Sequence, residues 1–312
     1  MRSFACAPSP IQRVAWRRES RGDPVNLNTK TIRFHELLES PGPEHPSLRR
    51  NPRENELRLI SDLWMAREVQ QRLLRREVQD VPGVDLAAGC VPARELGGDF
   101  YDLLPYGSGR LGLALGDVSG KGTAAALLGA LAMGIFRAHT VDCAGSPPDV
   151  LAELNDQIRA VGLDGRFVVM LFAVLNRGAQ QLTLANAGNP YPLLLRGGGV
   201  EELAVSGIPL GLMEGTRYDA LSLDLRLGDV VVFASDGILE CQNRDEEAFG
   251  TGRLVEVLTS LPQEAPAKDI SSAILDATDQ FSHDAPVQND DRSLIVLRVT
   301  NRLDLSRLPV IY

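Results

Sequence analysis

The stretch "LGLALGDVSGKGTAAALLGA", Leu111 to Ala130, decides how the chain is read. It runs from an apolar strand through a glycine-rich turn into a helix-forming segment, and it contains Gly120-Lys121. A P-loop of the pattern G-x-x-x-x-G-K-[ST] would cradle a nucleotide phosphate there. Two positions fail that pattern. Leu115 stands where its first glycine is required, and Gly122 stands where a hydroxyl residue would hold magnesium. What remains is an aspartate, Asp117, at the end of a strand and the start of a tight turn.

Asp117 has counterparts along the chain. "VVVFASDGILE" is a second apolar strand that ends in Asp236-Gly237. "QNDDRSLIVLRV" is the mirror arrangement, with Asp290-Asp291 at the entrance to a strand, and "ELGGDFYD" places Asp99 behind two glycines. Acids at the mouth of an apolar sheet are costly unless they are paired or bound to metal. Glycine lets backbone approach a ligand closely, and magnesium-like cations take carboxylates, carbonyls and retained waters. Asp-Gly at a strand end is also an ordinary turn signal. The residues alone therefore leave two readings: a set of turns, or an oxygen-ligand site for divalent cations.

Composition narrows the field of competitors. With 312 residues, 44% hydrophobic and 23% charged, the chain fits one large or two small globular domains. No apolar run approaches the roughly 20 residues that span a membrane. The arginine-bearing start lacks an apolar secretory core, so a cytoplasmic protein is expected. Cys6, Cys90, Cys143 and Cys241 are scattered, as are the four histidines, which disfavours disulfides, zinc sites and histidine nucleophiles. The net charge of −9 is uneven: residues 1–53 hold ten basic and five acidic side chains, so the remainder carries −14. An acidic body argues against nucleic acid as the partner.

Residues 1–53, rich in Pro, Arg, Ser and Asn, show no sustained period and read as a disordered basic tail. From Glu54 to about residue 78, Leu59, Leu63, Ala66, Val69 and Leu73 recur at helical spacing. This amphipathic linker helix, in the segment 54–80, either packs on the next domain or forms a dimerising coiled coil. Strands dominate from Val84, with helices expected at about 122–140, 147–162, 251–261 and 267–282. Ser146 and Pro147 supply the N-cap and first residue of the second of these. Strands in runs and helices in pairs favour an α+β fold with antiparallel sheets.

Six blocks then occur in one order: "VPARELGGDFYDLL", "LGLALGDVSGKGTAAALL", "LANAGNPYPLLLR", "GIPLGL", "LGDVVVFASDGILECQN" and "DDRSLIVLRV". Together they resemble the SpoIIE-type branch of the metal-dependent protein serine/threonine phosphatases, over roughly residues 66–300. The resemblance implies an α-β-β-α sandwich of two antiparallel sheets flanked by helices, in a phosphatase domain at 81–301 followed by a tail at 302–312. It implies two divalent cations, manganese or magnesium, at one sheet edge. Asp117 matches the aspartate that bridges them, Val118 offers a backbone carbonyl, and Asp236 and Asp290 match further ligands. Asp99 matches the aspartate that orients a metal-bound water. Asp291 and Asp102 read as supporting or solvated acids, Glu240 has no assigned role, and Lys121 is either exposed or faces the phosphate.

Asn189 and Val168 depart from the family pattern, which often has histidine and threonine at these places. The implied reaction is direct hydrolysis by an activated water, with no side-chain nucleophile. The implied substrate is a phosphorylated anti-sigma-factor antagonist, in partner-switching control of transcription, and the linker helix suggests a homodimer. Two competing readings are a catalytically weak module that docks a signalling partner and a phosphodiesterase-like enzyme. The first would show lost metal ligands, and the second usually brings histidines.

Overall fold

The computed structural model describes residues 52–74, 81–107, 109–142, 145–162, 165–176, 180–284 and 290–300. Contacts divide the chain into units of residues 1–54 and 55–312, and the architecture below is that of the second. The tails expected at 1–53 and 302–312 fall outside the described residues, apart from the helix start at Pro52.

Two five-stranded sheets stack face to face. One has the order β1 (Val84–Val91), β10 (Arg292–Val299), β9 (Val230–Ala234), β6 (Leu193–Arg196) and β7 (Gly199–Glu202). The other has the order β2 (Phe100–Pro105), β3 (Arg110–Val118), β4 (Val168–Asn176), β5 (Gln181–Ala187) and β8 (Leu221–Asp224). Every strand pairing is antiparallel. Helices α2 (Thr123–Asp142) and α3 (Pro147–Ala160) pack on the outer face of the second sheet, and α5 (Gly250–Ser260) and α6 (Ala267–Phe281) on that of the first.

This layering explains why the central strands are apolar throughout rather than alternating. Successive side chains point to opposite faces of a sheet, and here both faces are covered. Leu113 and Leu115 of β3 face the middle layer with Val231, Phe233, Ile295 and Leu297. Their neighbours Ala114 and Val118 face the α2–α3 layer, where Phe136 and Phe172 meet edge to face at 5.0 Å.

The expected helices and strands recur with shifts of a residue or two at their ends, except that the strand expected in "ALSLDLRLGD" stops at Asp224, five residues early. Two elements had no sequence signal: the strand β7, in "GVEE", and the four-residue helix α4 (Asp236–Leu239). Ser146 does precede α3, but its hydroxyl bonds the Asp149 carboxylate at 2.6 Å instead of capping a backbone amide. The linker helix α1 spans Pro52–Leu74, and residues 75–80 lie outside the described part. Its stripe is largely uncovered: Leu59, Val69 and Leu73 are 61%, 58% and 42% exposed. The helix meets the domain mainly through a polar residue, Gln70, which exchanges two hydrogen bonds with the backbone of Gly97.

Candidate metal centre

Strand register gathers the acids. Phe100 pairs with Gly116, so Asp99, just before β2, lies across from Asp117 at the end of β3. In the other sheet Leu294 pairs with Ala234, which brings the start of β10 beside the end of β9. Asp236 and Asp290-Asp291 therefore share an edge, and Ser235 N–H bonds Ser293 carbonyl there at 2.9 Å. Ser293 ties the two sheets together. Its hydroxyl donates to Asp99 Oδ2 at 2.6 Å, and its own N–H donates to Ser235 Oγ at 3.0 Å.

Two glycines let the segments come this close. A Cβ on Gly98 would lie 3.0 Å from Asp117 Oδ1 and 3.1 Å from Val118 O. One on Gly237 would lie 1.9 Å from the Asp291 carbonyl oxygen, so only glycine fits between α4 and β10.

The electrostatics are those of a crowded acidic pocket. Burial, and then the Asp117 charge, hold the Asp99 carboxyl well above the usual carboxylate range; the Ser293 hydroxyl opposes this. Burial pushes Asp117 up to about 7, aided by the charges of Asp236 and Asp290. Asp236 is raised by burial and then by Asp290. Such mutual destabilisation is what a bound cation relieves.

The donor set fits magnesium or manganese. All the acids are hard oxygen donors, and Asp99 Oδ1 is buried without a hydrogen-bond partner. Among the described residues no three His, Cys, Asp or Glu side chains already enclose one point. The edge is open, so carbonyls and waters would complete any coordination sphere.

Asp291, expected as supporting or solvated, is buried and structural. Its Oδ1 accepts from Ala93 N–H at 2.7 Å, and its Oδ2 accepts from Gly98 N–H at 2.6 Å and Asp99 N–H at 3.4 Å. Asp102 is not solvated either. Its side chain is fully buried and takes the Arg137 guanidinium at 2.5 Å, while Arg137 also reaches Leu73 O in α1. Of the two expected readings, supporting or solvated, both acids take the first, through partners distant in the chain. Lys121 is only half exposed and lies 3.1 Å from Asp290 Oδ2. Glu240 is exposed at the end of α4 and adds to the negative field on Asp236.

Ser293, Gln70 and Arg137 were missed as contributors to this region. Ser293 alone carried a signal, as the hydroxyl residue of the "DDRS" block. Asn189 is buried, donating to Leu115 O at 3.0 Å and accepting nothing at Oδ1, so it serves the sheet rather than the acidic edge. Val168 is likewise buried, bridged to Leu210.

The chain is similar to several known proteins. A family model described as stage II sporulation protein E (SpoIIE) matches residues 107–300. Phosphoserine phosphatase RsbU of Bacillus subtilis is 29% identical over 262 residues, covering 82% of this chain and 74% of that protein. The structure of the RsbU and RsbW domains of Rv1364c from Mycobacterium tuberculosis superposes with a TM-score of 0.62 at 26% identity, covering 71% of this chain and 62% of that one. The SiaA-PP2C domain of Pseudomonas aeruginosa shares the fold, with a TM-score of 0.69 at 21% identity over 78% of this chain and 98% of that one.

Proposed function

Because the chain belongs to the SpoIIE family of PP2C-type, metal-dependent protein serine/threonine phosphatases, we propose that it dephosphorylates an anti-sigma-factor-antagonist-like protein in the cytoplasm. The observation that carries this is the convergence of Asp99, Asp117, Asp236 and Asp290 from two sheets onto one open edge. In this reading Asp117, Asp236, Asp290 and the Val118 carbonyl hold two cations, manganese or magnesium. When bound, such cations supply a water that is nucleophilic at neutral pH and offset charge on the phosphoryl oxygens.

The chain's own residues do the positioning. Ser293 fixes one oxygen of Asp99, leaving Oδ1 to orient the attacking water. Asp291 holds the 93–99 loop that carries Asp99 against the start of β10. Lys121, beside Asp290 at the rim, is placed to meet an incoming phosphoryl group. The uncovered stripe of α1 serves homodimerisation, and Gln70 carries the helix's position to Gly97, two residues from Asp99.

The test is hydrolysis of p-nitrophenyl phosphate and of a phosphorylated antagonist protein with manganese. Chelation should abolish turnover and manganese restore it. Asp117→Asn should lower kcat by about a hundredfold or more, because it removes a charged ligand from the ions. A folded Asp117→Asn protein with most of its wild-type rate would overturn the assignment.

A further inference from the structure

The "GIPLGL" block, Gly207 to Leu212, takes no part in the acidic edge. It forms instead one wall of a separate cleft of about 300 Å³, lined by Ile158, Arg159, Arg166, Gly211 and Leu212 among others. The cleft is built on rigid parts. Leu210 and Val168 exchange backbone hydrogen bonds at 2.8 and 3.1 Å. Buried Asn155 accepts from Gly211 N–H at 2.9 Å and donates to Met213 O at 2.8 Å. Gly211 has φ +88°, and a Cβ there would lie 2.9 Å from Ile158.

Two guanidinium groups line this cleft, and neither has a carboxylate partner among the described residues. Arg159 donates to Leu212 O at 3.4 Å and Arg166 to Ser119 O at 3.3 Å, both backbone carbonyls. In a body that carries −14 beyond residue 53, two arginines line one cleft in which no described lining residue is acidic. The cleft also adjoins the reaction turn. Phe167 N–H bonds Ser119 Oγ at 2.8 Å, and Ser119 N–H bonds Phe167 O at 3.0 Å. Arg166 lies over Gly120, whose φ of +97° and missing side chain admit the guanidinium. Leu212, 43% exposed, gives the cleft an apolar edge.

We propose that this cleft is a substrate-recognition site that takes carboxylate side chains flanking the phosphoserine of the phosphoprotein, with Arg159 and Arg166 as the specificity-determining residues. The proposal rests on the phosphatase reading above. Guanidinium groups match carboxylates bidentately, and the half-burial of Arg166 strengthens its pair over one in open water. In an acidic enzyme, local positive sites of this kind steer an anionic substrate.

The experiment compares two manganese-supported substrates: a phosphoserine peptide with glutamates on both sides, and the same peptide with glutamines. The wild type should favour the glutamate peptide about tenfold in kcat/KM, as a charge-assisted hydrogen bond implies. Arg159→Gln, Arg166→Gln and their combination should bring that ratio toward one, whatever their absolute rates. Arg159 is exposed and, among the described residues, bonds one carbonyl, so its variant reports even where Arg166→Gln disturbs the turn. A wild-type ratio of one, or a ratio that survives both substitutions, overturns the proposal. Hydrolysis of p-nitrophenyl phosphate by the wild type separates the two ideas. Its absence sinks the phosphatase reading and this inference with it; its presence alongside a ratio of one sinks the inference alone.

Discussion

Asp291→Asn should unfold the acidic edge from behind while leaving the proposed ligands in place. The native carboxylate accepts from Ala93 N–H at 2.7 Å through one oxygen and from Gly98 N–H at 2.6 Å through the other. Asparagine keeps one acceptor and turns an NH₂ group toward the other amide. One charge-assisted hydrogen bond is lost, the second becomes neutral, and two donors face each other in a buried place. Net hydrogen bonds to charged groups contribute about 1.5–3 kcal/mol, so a loss of about 2–4 kcal/mol is expected. One effect opposes this: a negative charge leaves a crowded pocket. The Asp291 charge is, however, the smallest of the influences on Asp99, behind burial and Asp117. The hydrogen-bond loss therefore wins. Urea unfolding of the chelated protein measures the stability, and p-nitrophenyl phosphate with manganese measures the rate, which should fall at least about tenfold as the Asp99 loop loosens. Asp290→Asn is the control. Its half-exposed pair with Lys121 should cost less than about 1 kcal/mol, since surface pairs contribute little. The reasoning fails if Asp291→Asn stays within about 0.5 kcal/mol of wild type and keeps its rate.

Three further outcomes follow from the same geometry. The chelated protein should lose stability as pH rises from 5 to 7.5. Asp117 sits at about 7 in the folded state against 3.8 for an ordinary aspartate, so the folded state binds the extra proton between these limits. The effect is on the order of 2 kcal/mol, with ordinary carboxylates already ionised over that range; a melting temperature that is flat or rising with pH would contradict it. Gly237→Ala should drive α4 away from β10, since the added Cβ meets a carbonyl at 1.9 Å rather than a flexible side chain. Weakened manganese binding by calorimetry and at least about tenfold lower turnover are expected, and unchanged affinity would show that the backbone yields cheaply. Leu63→Asp with Leu73→Asp should convert the proposed homodimer to monomer by light scattering and lower its rate together, because charge would enter an apolar seam. A wild type that is monomeric at micromolar concentration removes the dimer reading.

The sheet-edge aspartates were legible in the sequence for a local reason. An aspartate at a strand end is written in adjacent residues, and four of them, three beside glycine, gave the acidic edge its candidates without coordinates. The layered fold was legible too. Strands apolar on both faces, as in "VVVFA" and "LIVLRV", require cover on both sides, and paired helices between runs of strands supply it. Linker helix α1 was found from its periodicity, but the face that meets the domain was not: the stripe of Leu59, Val69 and Leu73 stays exposed while Gln70 makes the contact. Only the tertiary structure could show that Asp291 and Asp102 are buried acids. Their partners are Gly98, 193 residues away, and Arg137, 35 residues away. It alone could show the arginine cleft beside the turn after Asp117, since the "GIPLGL" wall meets Arg159 and Arg166 through the Val168–Leu210 bridge and the Asn155 hydrogen bonds. Periodicity and turn chemistry are properties of neighbouring residues. Charge pairing and burial are properties of residues that the folded chain brings together, and no local pattern encodes them.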